Sequence, residues 1–481
     1  MSESNKKDSL FLFLFKNIWK LKIKVLSLYH IKNINDLYME NILELQGAYN
    51  KDCKIFTTEV EESAMSLIYS ILNTKEYTNT PIRIMPDVHA GVGIVIGFTA
   101  PITHAISPSH VGVDIGCAIT THITNIPINE KDYPVIEHRI KKEIPMGMNI
   151  HKTRQFDMKV FFKFMKSEFN KARASWPDMI NDFDISENGF SHFLQKLHMD
   201  EGVFYKSIST LGGGNHFVEV GNCNGNYAFT IHCGSRNLGQ RVCKYWEKIA
   251  SSSQVDNKIL KEKIKHLKET VSDRTLLPTL IEEAKAELQS KLASNGYLIG
   301  DNLKGYLTDM VIAQAYAKFN HLIMGEKIFS IFKHIYPKCE IVETVQSIHN
   351  YVDMEDHIIR KGAIRAYEGE KMVVPFNMRD GLAICVGKSN KDWNCSCSHG
   401  AGRKLSRGKA KSVVSMEEFE KSMEGIYTTS VCHNTLDESP MAYKDTESIL
   451  HLIEDTCEVL YMVKPVINIK ATDEPTASWR K

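Results

Sequence analysis

Asp114 and Cys117 stand three residues apart in Val111-Gly112-Val113-Asp114-Ile115-Gly116-Cys117. At that spacing a carboxylate and a potential thiolate can converge on one site. Taken alone, such a pair reads as a turn residue beside a buried small hydrophobe, because free cysteine is usually a packing residue. Three histidines shift the balance. His216 follows Gly212-Gly213-Gly214-Asn215, His232 opens His232-Cys233-Gly234-Ser235-Arg236, and His349 lies in Ile348-His349-Asn350. All three fall at turns or strand ends, where side chains are presented rather than buried. Aspartate, cysteine and imidazole form an N/O/S ligand set that suits Mn²⁺, Zn²⁺, Co²⁺ or Fe²⁺, and a thiolate can bridge two ions.

His399 offers a different chemistry. It sits between Ser398 and Gly400-Ala401-Gly402-Arg403, so its imidazole is sterically open. An imidazole nitrogen can attack phosphorus to give a covalent phosphoramidate. The cations that follow, Arg403, Lys404, Arg407, Lys409 and Lys411, can neutralise phosphates on a nucleotide or an RNA end. A solvated basic loop with a structural histidine explains the same residues. Cys395 and Cys397 lack the paired C-x-x-C spacing of a zinc site and read as packing residues. The glycines of Gly91–Gly97 match neither G-x-G-x-x-G nor a phosphate-binding P-loop, which disfavours a Rossmann cofactor.

The elements that position these residues read as mixed α and β. From Ile82 to Leu238 the chain alternates strands with glycine-rich turns, for example Ile82–Met85, Gly93–Phe98 and Tyr227–Ile231. A helical stretch from Asp157 to Leu197 interrupts it, its aromatic stripe (Phe161, Phe162, Met165, Phe169) reading as core. Residues 241–335 read as mostly helical, strands return after Ile341, and a short final strand is expected at Val466–Ile469. The expectation is one large α/β body with inserted helices over 39–481. Residues 1–38, rich in Lys, Asn, Leu and Ile, read as a peripheral N-terminal extension or as residues upstream of the true start.

Composition bounds the function. The chain has 481 residues, 43% hydrophobic and 24% charged, which excludes collagen-like, coiled-coil and globally disordered classes. Lys and Arg total 59 against 58 Asp and Glu, so any nucleic acid must be held by a local patch rather than by bulk charge. The 11 cysteines, with no export signal and no membrane-spanning run, point to a reducing, cytoplasmic compartment.

In order along the chain, PDVHAGVG, VGVDIGCAI, GGGNHF, HCGSRNLG, IHN, SCSHGAGRKLSR, DESPMAYKD and a lysine near the C-terminus resemble the RtcB family of GTP-dependent RNA ligases. The resemblance covers most of 40–481. It implies two divalent ions, typically Mn²⁺, with Cys117 bridging both, His232 and His349 completing one site, and Asp114 and His216 the other. It implies that His399 attacks the α-phosphorus of GTP and carries GMP to an RNA 3′-phosphate, after which a 5′-hydroxyl displaces GMP. A 2′,3′-cyclic phosphate is opened first.

By the same resemblance Asn215 and Asn350 contact the guanylate phosphate beside His399, Gly400 and Gly402. Tyr443 and Lys470 lie at the guanine, and Arg236 and Arg403 hold the RNA terminal phosphate. Asp87 and His89 match a motif near the metals, neither of them as a ligand. A carboxylate or carbonyl has to fix the tautomer of His399, and the sequence singles none out.

The chain departs from the family pattern at Asn377-Met378-Arg379-Asp380-Gly381, where many relatives carry Gly-Ser-Met-Gly, and at Ile469-Lys470-Ala471. The substrates implied are GTP and RNA in tRNA splicing or repair, with an archease-like activator as a further partner. The competing readings are a catalytically silent RNA-binding subunit and a metal-dependent phosphoesterase, the latter with no use for His399.

Overall fold

The computed structural model describes residues 42–253, 257–271, 276–284 and 296–472; the segment 1–38 lies outside them. Two sheets carry the site. The smaller has six strands in the order Leu43–Leu45, Cys53–Ile55, Ile82–His89, Ile96–Pro101, Ile358–Lys361, Asn350–Val352. The larger has seven, in the order Ile341–Ile348, Ala118–Pro127, Asn226–Cys233, Phe217–Cys223, Cys457–Ile469, Gly381–Gly387, Lys371–Asn377. Its two edge strands approach one another: Val373 N donates to Ser347 Oγ at 2.8 Å, and Lys371 pairs with Glu343. The large sheet is therefore nearly closed and barrel-like.

Strand parity explains what lies inside. Along Asn226–Cys233, Tyr227, Phe229, Ile231 and Cys233 face outward onto Met324, Ile328 and Phe332 of the helix Gly300–Ile335. Ala228 faces inward with Ile119, Ile123, Val345, Val373, Leu382, Ile384 and Val463. His232 shares that inward face, because it is paired in register with Ile119 and with Phe217. Glu219, paired with Thr230 and with Asn468, does too. The same alternation that builds the core thus turns polar groups into the barrel mouth.

The helix Gly300–Ile335 has 36 residues and is buried on most of its faces, as expected of a helix with apolar residues all round. Its Tyr316 and Phe319 pack against the aromatic cluster of Phe161, Phe190 and Phe204. The expected helical stretch from Asp157 to Leu197 is two helices, Met158–Ser175 and Glu187–Lys196. The second starts afresh because Ser186 Oγ caps it, accepting from Gly189 N at 3.2 Å. The last strand, expected at Val466–Ile469, begins at Cys457. Pro465 and a register shift beside it break the alternation that marks a strand in sequence. The α/β body with inserted helices stands as expected. No helix among the described residues is long and apolar enough to cross a membrane.

Candidate active site

A turn begins the site. Cys117 N donates to Asp114 O at 3.1 Å with Gly116 at φ 75°, so the turn places both side chains at the start of Ala118–Pro127. Gly234 lets the Asp114 carboxylate approach, since a Cβ there would collide with its oxygens. His216 enters from the glycine loop before Phe217–Cys223. Its Nδ1 lies 3.0 Å from Leu211 O, which orients the ring, and its Nε2 lies 3.0 Å from Asp114 Oδ2. Cys117 Sγ lies 3.6 Å from His216 Nε2 and 3.4 Å from His232 Nε2.

His349 arrives differently. It is the single residue between Ile341–Ile348 of the large sheet and Asn350–Val352 of the small one, and its N–H donates to Cys117 O at 3.0 Å. Its ring lies 5.2 Å from that of His232, and its buried Nδ1 has no partner. Donor atoms of Cys117, His216 and His232 all fall within 4.8 Å of one another. An orphaned imidazole nitrogen beside two more histidines, a thiol and a carboxylate fits a divalent ion with mixed N/O/S preference.

The electrostatics agree. Burial, then Asp114, pushes the Cys117 thiol well above its usual range, and burial, then neighbouring histidines, pushes His232 and His349 well below theirs. Burial would raise the Asp114 carboxyl, but its hydrogen bond and charge interaction with His216 outweigh it and hold it low. Neutral imidazoles and a proton-releasing thiol are the forms a metal selects.

His399 follows the short strand Ser396–Ser398, paired with Ala363–Arg365. Its Nδ1–H donates to Asp87 Oδ2 at 2.6 Å, and its backbone N–H reaches the same oxygen at 3.2 Å. Asp87 is fully buried on Ile82–His89. That leaves Nε2 of His399 as the bare nitrogen, with the ring 5.0 Å from His349. Cys395 and Cys397 are buried packing residues, Cys397 lying 3.8 Å from Cys457, and all eleven cysteines are free.

Asp114, Cys117, His232, His349 and His399 line a cavity of about 510 Å³ together with Asn215, Asn350, Gly400, Gly402, Arg403, Tyr443 and Lys470, with Asp87 and His216 behind its wall. At one end Glu438 gathers the cations: Lys470 Nζ at 3.1 Å, Arg407 Nη1 at 2.6 Å and Arg403 Nη1 at 3.3 Å, while Tyr443 OH donates to it at 2.7 Å. Burial opposes the charge, but Lys470, Arg407, the Tyr443 hydroxyl and Arg403 outweigh it and hold Glu438 at about 2. Arg407 and Lys411 also pair with Asp437, so much of the basic run is already neutralised.

Beside Lys470, Glu219 accepts from Asn468 Nδ2 at 3.0 Å, and burial lifts its carboxyl to about 8. Asn350 Oδ1 accepts from Gly362 N at 3.0 Å, which aims Asn350 at the His349 turn. Arg236 is outside the lining. It donates to Thr210 Oγ1 at 2.8 Å and Gly147 O at 3.0 Å, behind His216.

Sequence reasoning missed Asp87 as the tether of His399, Glu438 as the counter-ion, and the Glu219–Asn468 pair. Asp87 was visible in its glycine motif and Glu438 in DESPMAYKD. Glu219 carried no motif beyond strand parity with Phe217.

One cavity thus joins a metal-ligand cluster to a carboxylate-tethered histidine, the equipment of a metal-assisted transferase or ligase. The family model for the tRNA-splicing ligase RtcB matches residues 72–471, and the chain belongs to that family. It is 28% identical to the RNA-splicing ligase RtcB of Escherichia coli (strain K12), over 89% of this chain and 99% of that one. It is 26% identical to the tRNA-splicing ligase RtcB of Archaeoglobus fulgidus, over 77% and 83%. With that of Nanoarchaeum equitans it shares 24% identity, over 88% and 96%.

Proposed function

We propose that this protein is a GTP- and Mn²⁺-dependent RNA ligase that joins 3′-phosphate or 2′,3′-cyclic phosphate ends to 5′-hydroxyl ends in a reducing cytoplasm. The observation that carries the reading is His399, tethered by Asp87, lining one cavity with Cys117, His232 and His349, where Cys117 and His232 converge with His216. Asp87 fixes the His399 tautomer, so Nε2 attacks the α-phosphorus of GTP; the bond to the β-phosphate breaks and pyrophosphate leaves. An RNA 3′-phosphate oxygen then takes the GMP from His399, and a 5′-hydroxyl displaces it. Asp114, Cys117, His216, His232 and His349 would hold two Mn²⁺ ions, which supply charge neutralisation and orientation of the phosphates.

Guanine fits the far end of the cavity. Glu219 Oε1 and Asn468 Oδ1 are buried acceptors without partners. Guanine presents adjacent N–H donors on its Watson–Crick edge, whereas adenine presents an acceptor at that position. Tyr443 and Lys470 flank the same end, Arg403 meets phosphate on the cavity wall, and Asn215 and Asn350 lie beside the histidines.

The test is incubation with α-labelled GTP and Mn²⁺. The protein takes up acid-labile, alkali-stable label, and His399→Ala takes up none. An unlabelled protein, or equal label on His399→Ala, overturns the reading. Retained activity of His399→Ala on phosphate ends would instead mark a phosphoesterase.

A further inference from the structure

We infer that His89 is the general base that takes the proton from the RNA 5′-hydroxyl in the sealing step. The inference rests on the ligase reading and adds a residue to it. His89 Nδ1 lies 3.0 Å from the main-chain carbonyl of Asp87. A carbonyl only accepts, so Nδ1 carries the hydrogen and Nε2 keeps its lone pair. Asp87 therefore sets two tautomers, that of His399 through its carboxylate and that of His89 through its carbonyl. One bare Nε2 serves the phosphorus; the other is free for a proton.

Position supports the role. His89 lines the catalytic cavity but stands outside the metal-ligand group. Most of the other acidic, thiol and imidazole groups of the cavity are committed, and Glu61 is the rival that the test addresses. Asp114, Cys117, His232 and His349 belong to the ligand set, and Glu438 is locked among cations with a carboxyl too acidic to hold a proton. Glu219 is held by Asn468 at the opposite end. Next to His89, Ala90 N donates to Glu61 Oε1 at 2.7 Å. Glu61, Arg403 and Lys404 are shared with a second groove of about 720 Å³, running between Thr57–Glu61 and Lys444–Leu452. A polynucleotide end laid in that groove delivers its terminal hydroxyl past Glu61 to His89.

The groups acting on His89 are Asp87, His399 and Lys444. Burial lowers it to about 4 against the opposing pull of the Asp87 carbonyl and carboxylate, with Lys444 adding to the lowering, so it rests neutral; the arriving RNA phosphates oppose Lys444 and raise its basicity. In the step itself, O5′ bonds the 3′-terminal phosphorus of the guanylylated RNA. The bond from that phosphorus to the guanylate oxygen breaks, GMP leaves with the electron pair, and the hydroxyl proton passes to His89 Nε2 and on to water.

The test separates this step from the earlier ones. His89→Ala and His89→Gln are assayed for label uptake from α-labelled GTP and, separately, for sealing of preformed guanylylated RNA 3′-ends to 5′-hydroxyl RNA. Label uptake is expected within about threefold of the unsubstituted protein, with sealing slowed about 100-fold or more and the acid limb of its pH–rate profile lost. Sealing within about threefold in either variant overturns the assignment, as does loss of labelling in proportion to sealing. It also falls if Glu61→Gln, rather than the His89 variants, removes the acid limb. If the unsubstituted protein takes no label, the ligase reading fails first and this inference with it.

Discussion

Asp87 and His399 are 312 positions apart in the chain, yet Oδ2 of one lies 2.6 Å from Nδ1 of the other. The carboxylate has no exposed surface, and its second oxygen has no partner. Asp87→Asn keeps the shape and removes the acceptor charge that holds the tautomer. Guanylylation of His399 is expected to fall by about two to four orders of magnitude. Thermal unfolding of the variant should stay close to that of the unsubstituted protein, which separates a chemical loss from a folding one.

Glu219 makes stability depend on pH. Its folded carboxyl sits near 8 against 4.5 for a free one. The folded state thus holds this proton more tightly than the unfolded chain. Its contribution is full in acid and is lost as pH rises from the usual carboxyl range through about 8. Glu219→Gln should flatten that slope in denaturation curves between the free carboxyl value of 4.5 and about 8. It should also weaken GTP binding by about tenfold or more, because a carboxamide, unlike the carboxyl, cannot give up a proton to meet the guanine N–H donors with two acceptor oxygens.

Glu438 works in the opposite direction. Its depressed carboxyl contributes stability that is present above the usual carboxyl range and lost as pH falls through it toward 2. Glu438→Gln leaves Lys470, which is buried, and Arg403 without their counter-ion. A destabilisation of about 3–5 kcal/mol is expected in equilibrium unfolding.

Cys117 is expected to bind metal as thiolate. Because burial holds the thiol well above its usual range, loading must release a proton, and metal affinity should tighten as pH rises. Cobalt titration checks this: sulfur-to-metal charge-transfer absorption is expected with the unsubstituted protein and not with Cys117→Ser.

The parts of the fold with clean periodicity were legible in the chain. Strand alternation around Tyr227–Ile231 and the helical stripe of Phe161, Met165 and Phe169 appear in the structure as Asn226–Cys233 and Met158–Ser175. The first half of the final strand was not, because Pro465 and its register shift interrupt the period. In the site, the histidines were readable because glycine turns mark them. Asp87 was not assigned a role, since a partner 312 positions away leaves no local pattern; nor was Glu438, whose partners Arg403, Arg407 and Lys470 follow no helical or strand spacing. Nor do the five cations after Gly402 announce that three of them already pair with Asp437 and Glu438.

His349 is the lone link between a strand of one sheet and a strand of the other. Any sliding of the two sheets drags this imidazole with it, so an ion seated there acts as a rivet through the seam. Loading should slow amide hydrogen exchange in Ile341–Ile348 and Asn350–Val352 together, as a single cooperative unit. The ion would then govern how stiff the scaffold is, in addition to what happens in its cavity.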